Sequence, residues 1–447
     1  MRSLPLSIVL LLGVLIPSQS FGQYLGGHFA YDHVSGSSYE ISLNLYLPAD
    51  SSAPDSIPFL TGDGSGTTMV PPTDSSFDCD SIKRVIYTFQ HTFPGSGSYT
   101  LRFSDSSFAR PFINSPGIDS AYSLRSEIVI DPFTNGANRT VEFMDKPLKK
   151  VHSRNDSMGI WPILTYHPAF TNPDGDSLSF ELLRPDTLPS YSIPSGVSIN
   201  PKSGELRWAV PDTTGRYSFY MQVKEYQGGR LQGSTVRHFT VELKDSISRQ
   251  ASFQEISGFQ TNGAGYSEVH VSPGQDLNLV LSYEDPQADT VGLKAVGEPF
   301  SQTPSPFFFS SGSDSSANAS FSWTPDSSHV RDHPYILSFI GRSDPSCTYR
   351  YKPVMIYVDK AMTMEGYPGE TPIKLFPNPA SERLIAEFPK DPEGATARIL
   401  NAEGKLMERF SIQGRRSEID VRELPSGYYF LRIEGKDRSW TGRFIKD

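Results

Sequence analysis

The stretch SGELRWAVPDTTGRYSFYMQVKEY, from Ser203 to Tyr226, decides the fold class of this chain. It passes through Trp208 and a Pro-Asp corner and then continues as a segment in which apolar and polar residues alternate. Alternation with a period of two is typical of a strand with one buried face. A large flat ring such as that of Trp208 fills the space between two sheets. We therefore predict a β-sandwich here, with Trp208 in its core.

A second stretch, ASFSWTPDSSHVRDHPYILSFIGRSD, repeats the Trp-Pro-Asp corner and the Tyr-bearing strand. An acidic turn precedes the tryptophan in both cases. Asp174 lies 34 positions before Trp208, and Asp285 lies 38 positions before Trp323. The shared order and spacing indicate a duplicated unit of roughly 90 to 110 residues. This size and the short strands favour an immunoglobulin-like sandwich, with Trp323 as the second core anchor.

The length and composition of the chain indicate that the β fold predicted for these two stretches extends to the other domains. The 447 residues exceed one ordinary core, so several domains are expected. The 21 Tyr and 28 Phe favour strands, and the 36 Gly and 36 Pro indicate many turns. Near the N-terminus, SYEISLNLYL from Ser38 to Leu47 alternates as a half-buried strand. The Ser-, Asp-, Pro- and Gly-rich stretch 49–76 predicts a long loop. The fold class predicted is all-β, with tandem sandwiches.

Charge and cysteine content narrow the functional classes. The formal net charge of −10 argues against nucleic acid as a partner, because an acidic chain repels phosphate backbones. Cys79 and Cys347 are the two cysteines in the sequence, so the fold does not depend on a disulfide framework. The sequence has no His-Glu-x-x-His, Gly-x-Ser-x-Gly or P-loop pattern. We predict no catalytic residues and no enzyme activity.

The first 22 residues predict a signal peptide. Arg2 gives a short positive region, and an apolar run from Leu4 to Ile16 follows. This run is shorter than the roughly 20 residues that span a bilayer. Small residues near the end of the segment place the cleavage between Gly22 and Gln23. We expect an exported mature chain without a transmembrane helix.

A composition change marks the last domain. Residues 373–447 hold 14 Lys and Arg against 12 Asp and Glu, whereas the preceding residues hold 26 against 38. The shift follows a Gly- and Pro-containing linker, as at a domain boundary. The predicted organisation is a signal peptide (1–22), an N-terminal β-domain (23–150), two immunoglobulin-like domains (151–245 and 246–360), a linker (361–372) and a C-terminal sandwich (373–447).

The C-terminal segment carries several motifs in order. LFPNPASERL opens it, ILNAEGKLM supplies a turn, IDVRELPSGYYFLRI follows, and RFIK stands just before the end. The segment resembles the type A C-terminal sorting domain of the Bacteroidetes type IX secretion system. The residues that carry this resemblance are Pro377, Asn378, Pro379, Gly404, Leu424, Pro425, Gly427, Tyr429 and Lys446.

This resemblance implies an export route and a cellular location for the protein. It implies general secretion to the periplasm, passage across the outer membrane by the type IX machinery, and removal of the tail. The product would be released or attached to the cell surface. The N-terminal segment GGHFAYDHVSGSSYEISLNLYL and the turn NPDGDSLSFELLRP resemble gliding-motility-associated or adhesin-like surface proteins with cadherin-like repeats. The expected partners are the type IX secretion machinery and a surface polymer, glycan or protein ligand.

The acidic turns are candidate cation sites. Asp174 and Asp176 lie in the first turn, and Asp285 and Asp289 lie in the second. Calcium takes six to eight oxygen ligands, so each turn would need further ligands from neighbouring loops. Two interpretations stay open, calcium binding and simple turns in which the carboxylate caps local amides. We expect no other cofactor.

Three functional hypotheses follow from these observations. The leading one is a non-enzymatic exported protein whose rigid sandwiches present loops for adhesion or binding. The second is a secreted glycan-active enzyme with its site in 23–150. The third is a passive structural spacer.

Overall fold

The computed structural model describes residues 24–78, 82–105, 112–116, 121–131, 138–144, 148–152, 163–209, 211, 213–244, 251–345, 348–359, 370–388, 391–392, 394–401, 405–412, 414–435 and 439–447. The expected signal peptide with Gly22 and Gln23, both cysteines, Gly404 and most of the expected linker lie outside these residues. The chain divides into two compact units, 1–359 and 360–447. We describe each unit by itself.

The first unit is built almost entirely of strands. Its N-terminal section contains β1 (Gly26–Ser35), β2 (Ser38–Pro48), β3 (Ile57–Leu60), β4 (Thr67–Val70), β5 (Asp74–Asp78), β6 (Ile82–Thr92), β7 (Gly97–Asp105), β8 (Tyr122–Ile130), β9 (Glu142–Phe143) and β10 (Leu148–His152). The stretch 49–76 was expected to be a long loop, and this prediction is wrong. Strands β3 and β4 and most of β5 lie in it, because Ile57, Phe59 and Val70 bury their side chains in the core.

The middle section contains the first of the two duplicated units. Its strands are β11 (Leu164–Tyr166), β12 (Phe170–Thr171), β13 (Ser177–Leu182), β14 (Val197–Ile199), β15 (Leu206–Trp208), β16 (Gly215–Gln227) and β17 (Arg230–Lys244). Gly228 and Gly229 join β16 to β17 with φ of 57° and 77°. Two consecutive positive φ values give a tight hairpin turn that matches the strand twist, and glycine adopts them without strain.

The third section contains the second duplicated unit. Its elements are β18 (Ser252–Ser257), β19 (Glu268–Val271), β20 (Leu277–Glu284), β21 (Thr290–Gly297), a 3₁₀ turn (Glu298–Ser301), β22 (Phe307–Gly312), β23 (Ser316–Trp323), a second 3₁₀ turn (Ser327–His329), β24 (Tyr335–Asp344) and β25 (Thr348–Val358). Two four-stranded sheets, in the orders β18-β20-β23-β22 and β19-β25-β24-β21, enclose its core.

The strand pairing follows the same pattern in the middle and third sections. In the middle section, β15 pairs with β11 and β14, and β16 pairs with β13 and β17. In the third section, β23 pairs in the same way with β20 and β22, and β24 with β21 and β25. Each section also has one parallel pairing. Strand β10 pairs with β17 in the middle section, and β19 pairs with β25 in the third. Trp208 and Trp323 are buried in the two cores, as expected of sheet-to-sheet anchors.

Strand β17 joins the N-terminal and middle sections. One edge of β17 pairs with β16. Its other edge pairs in turn with β8, β1 and β10. The strands around the N-terminal core therefore belong to the same sheet as the β16–β17 hairpin, in the order β4-β3-β7-β8-β17-β1-β2-β6-β5. The expected boundary between residues 150 and 151 falls inside β10.

The second unit is a small sandwich. Its strands are β26 (Glu370–Pro372), β27 (Lys374–Phe376), β28 (Arg383–Glu387), β29 (Thr396–Asn401), β30 (Leu406–Ser411), β31 (Arg416–Asp420), β32 (Gly427–Glu434) and β33 (Ser439–Lys446). They form a five-stranded sheet, β26-β33-β32-β29-β30, and a three-stranded sheet, β27-β28-β31. Leu384, Leu431 and Phe444 belong to the core that the unit encloses. The all-β fold with tandem sandwiches and a C-terminal β-sandwich is confirmed.

Candidate functional site

The first acidic turn is held at the junction of the middle and third sections. Asn172 Nδ2 donates to the Asp176 carbonyl at 2.7 Å and to Glu298 Oε1 at 2.8 Å. Arg331 contacts the Gly175 carbonyl at 3.5 Å and donates a second bond to Glu298. These contacts fix the turn against the 3₁₀ segment that follows β21. The turn is therefore rigid, and its acidic side chains have defined positions.

The two aspartates of this turn have different environments. Asp174 is paired with Arg139, whose Nη2 lies 3.0 Å from Asp174 Oδ1 and whose backbone amide donates to Oδ2 at 2.6 Å. Asp176 is buried. Burial, together with the charges of Asp174 and Glu298, raises the pKa of Asp176 from 3.8 to about 6. The turn thus holds one compensated carboxylate and one whose charge is disfavoured.

Glu225, on β16, adds another carboxylate to this region, which the sequence analysis did not identify. Its Oε1 accepts the amide of Val141 at 2.9 Å, while its Oε2 is buried without a hydrogen-bond partner among the described residues. Burial, followed by the charge of Asp176, raises the pKa of Glu225 well above its ordinary value. Asn172 Oδ1 is likewise buried and unpartnered among the described residues. Two buried oxygen acceptors therefore lack donors close to the turn.

The donor types at this turn fit calcium, which prefers carboxylate and amide oxygens. Within the described ranges, however, no group of three or more His, Cys, Asp or Glu is arranged to hold a metal ion. A calcium site here would have to combine Asp176 and Glu225 with the amide oxygen of Asn172. It would also offset the burial and the charge repulsion that together raise the pKa of both carboxyl groups.

The second acidic turn has a different geometry. Asp285 is buried, and its Oδ1 accepts the amide of Gln287 at 3.0 Å, as in a turn capped by its own side chain. Asp289 is exposed, and its amide donates to the carbonyl of Asp344 at 2.9 Å. At the first turn the acidic side chains lie near buried oxygens that have no donor. Among the described residues, no unpartnered buried oxygen accompanies Asp285 and Asp289 in this way.

In the C-terminal unit, the Pro377-Asn378-Pro379 segment connects β27 to β28 and packs against the end of β33. Asn378 Oδ1 accepts the amide of Ile445 at 2.8 Å, and its Nδ2 donates to the carbonyl of Arg443 at 3.4 Å. Because prolines cannot donate to a sheet, the asparagine side chain supplies the link that the flanking residues cannot.

The Leu-Pro-x-Gly-x-Tyr stretch supports the same strand. Tyr429 is buried and stacks on Phe444 of β33, with ring centroids 5.5 Å apart. Its hydroxyl donates to the carbonyl of Pro425 at 2.7 Å, which closes the turn before β32. Leu424 is buried in the same core. Gly427 pairs with Lys446, the last residue of β33.

The family comparison matches residues 374–447 with the secretion system C-terminal sorting domain. These residues are a type IX secretion sorting domain. Every predicted signature residue of this sorting domain that the structure describes lies on β33 or in a segment that contacts or pairs with β33 or with its neighbour β32. The described signature residues are therefore grouped around the last two strands, an arrangement that the sequence motifs alone did not show.

Solved structures similar to this chain include Dpr2 Ig1-Ig2 in complex with DIP-Theta Ig1-Ig3, zebrafish RET cadherin-like domains 1 to 4, and an ICAM-5 D1-D4 ectodomain fragment. The identities are 10%, 8% and 11%, and the TM-scores are 0.17, 0.18 and 0.18. The matches cover 71%, 96% and 93% of this chain and 94%, 97% and 98% of those chains. At such TM-scores the likeness supports no functional argument.

No curated protein matches the chain. Among the described residues, no helix is long and apolar enough to cross a membrane.

Proposed function

We propose that the protein is exported by the type IX secretion system and acts outside the cell as a non-enzymatic binding or adhesion protein. The observation that carries this proposal is the sorting domain at 374–447, which follows a larger unit built of β-sandwiches. Rigid sandwiches hold loops in fixed positions, which suits recognition of a surface polymer, a glycan or a protein. The mature protein is then secreted or held at the cell surface.

The export proposal is tested by intact mass and location in cells with and without a working type IX system. The expected product starts at Gln23, lacks residues beyond about position 370, and is retained in the periplasm of the defective strain. Deletion of 374–447 should cause the same retention in the normal strain. A full-length product whose location ignores both changes would show that the tail is an ordinary domain.

We also propose that the first acidic turn binds calcium through Asp176, Glu225 and the Asn172 side-chain oxygen. Two buried oxygens without donors and two carboxyl groups with raised pKa support this choice over the second turn. A bound cation would supply the positive charge that the site lacks and would stabilise the junction between the middle and third sections.

The calcium proposal is tested by thermal unfolding of the purified protein in calcium, magnesium and EDTA. Calcium should raise the melting temperature of the wild type and should not do so in Glu225→Gln, where one ligand charge is removed. Asp289→Asn, in the second turn, serves as the matched control and should respond like the wild type. Equal melting curves in calcium and EDTA would exclude the site.

A further inference from the structure

A cleft of about 390 Å³ lies on the outer side of β7 and β8 in the first unit. Strand β3 borders it, and the loop after β13, residues 183–187, forms the opposite wall. Its volume falls in the range of clefts that hold small ligands. It lies away from the acidic turns and in a different unit from the sorting domain.

Three arginines from three segments line this cleft. Arg102 on β7 and Arg125 on β8 are directly opposite each other in the sheet, and Arg184 comes from the loop. Like charges at directly opposed positions destabilise a sheet. Within the described part of the chain, neither Arg102 nor Arg184 has an acidic partner, and Arg125 has only Asp186 at 3.7 Å. In a chain of net charge −10, this concentration of positive charge requires a separate explanation.

The one acidic neighbour compensates this charge poorly. The side chain of Asp186 is 89% exposed and that of Arg125 is 51% exposed, so solvent screens their interaction. Exposed ion pairs of this kind contribute little to stability. The guanidinium groups are therefore available to an anion, and their planar forks suit a carboxylate.

The remaining lining combines hydroxyl and apolar groups. Thr67 and Ser104 bring exposed hydroxyls, and Leu60 brings an exposed apolar side chain, while the lining residues Tyr220 and Val236 are almost fully buried. The loop wall is fixed in place, because Thr187 Oγ1 and Ser123 Oγ lie 3.0 Å apart. The cleft is thus preformed, which lowers the entropy cost of binding a ligand.

We propose that this cleft binds an acidic sugar, one whose ring carries a carboxylate, within a longer polysaccharide. The arginines bind the carboxylate, the hydroxyl side chains match the sugar hydroxyls, and the apolar surface contacts the C–H faces of the ring. Arginine clusters also bind acidic peptides, but the hydroxyl and apolar groups beside these arginines match the hydroxyls and C–H faces of a sugar ring, so we choose a uronate-type sugar. The inference rests on the proposed binding function and specifies its ligand class.

The test is calorimetric titration of the purified full chain with trigalacturonate, with maltotriose as the neutral comparison and a Glu-rich peptide as the acidic one. Trigalacturonate should bind, and its affinity should fall as salt rises from about 0.05 M to about 0.5 M. Arg102→Gln and Arg125→Gln should each weaken binding about tenfold or more, because each removes a charged hydrogen-bond partner. Both side chains are exposed, so the variants should fold.

Arg230→Gln is the matched control, since Arg230 lies on the same sheet and is 72% exposed but does not line the cleft. It should leave the affinity unchanged. Absence of binding, equal binding of maltotriose, preference for the peptide, or full affinity in both cleft variants would each overturn the proposal.

Export and this binding are measured separately. Failed export with intact binding would overturn only the export proposal, and failed binding with intact export would overturn only the cleft assignment.

Discussion

Replacing Asp176 with Asn should stabilise the protein above about pH 6 when no calcium is present. The side chain is buried beside Asp174 and Glu298, and its pKa is raised from 3.8 to about 6. The folded state therefore binds more protons than the unfolded state between these two values, so folding stability falls as the pH rises through this window. At 1.36 kcal/mol per pKa unit, the charged form costs on the order of 3 kcal/mol above pH 6. Asparagine keeps the shape of the side chain and cannot acquire the charge.

The assay is chemical unfolding of the wild type and Asp176→Asn in EDTA at about pH 3 and about pH 8, bracketing the window above. Tryptophan fluorescence reports on the unit, because Trp208 is buried in the middle-section core. The variant should be more stable at the higher pH and equal to the wild type at the lower pH. Asp289→Asn, exposed in the second turn, should change neither. A gain of the same size at both pH values, or no gain at the higher one, would refute the electrostatic argument.

Three further substitutions test the sandwich cores and the final strand. Asn378→Ala removes two side-chain bonds to β33 and should cost the sorting domain about 1–2 kcal/mol, measured by urea unfolding of the second unit; an unchanged transition would show that the bonds are dispensable. Trp323→Ala should cost about 3–5 kcal/mol by the same method applied to the first unit, and a loss below 1 kcal/mol would contradict its role as an anchor. Gly341→Ala would place a Cβ 2.4 Å from the buried ring of Tyr283, so a loss of about 1–3 kcal/mol is expected, and a neutral effect would mean that the ring can move.

The local pattern of the sequence was enough to predict the all-β fold class, the strand after Trp208 and the burial of the two tryptophans. Each of these depends on residues close together in the chain, such as the alternation after Trp208. The motifs of the C-terminal segment were likewise sufficient to predict the sorting domain, because Pro377 and Tyr429 lie in short segments that occur in a fixed order. The stretch 49–76 was misjudged because its strands are short and its Ser, Asp and Pro residues are typical of turns.

The arginine cleft and the full set of carboxylates at the first acidic turn could not be predicted from the sequence, because both depend on long-range strand pairing. Arg102, Arg125 and Arg184 lie on separate segments, and their proximity follows from strand register and from the position of one loop. Glu225 joins the acidic turn across about 50 residues of sequence, so no motif connects it to Asp176. A one-residue change of register would move such side chains to the opposite face, which is why only the folded structure identifies them.

Strand β17 has a consequence for the order of folding. Gly27 pairs with His238, and Ile128 pairs with Gly233, so the sheet around the N-terminal core is completed by residues from far along the chain. A polypeptide delivered N-terminus first would keep the edges of β1 and β8 open until β17 arrives. Open edges invite pairing with other chains, and such distant contacts form slowly. A chain exported in this direction would stay open to such pairing until its 244th residue has emerged.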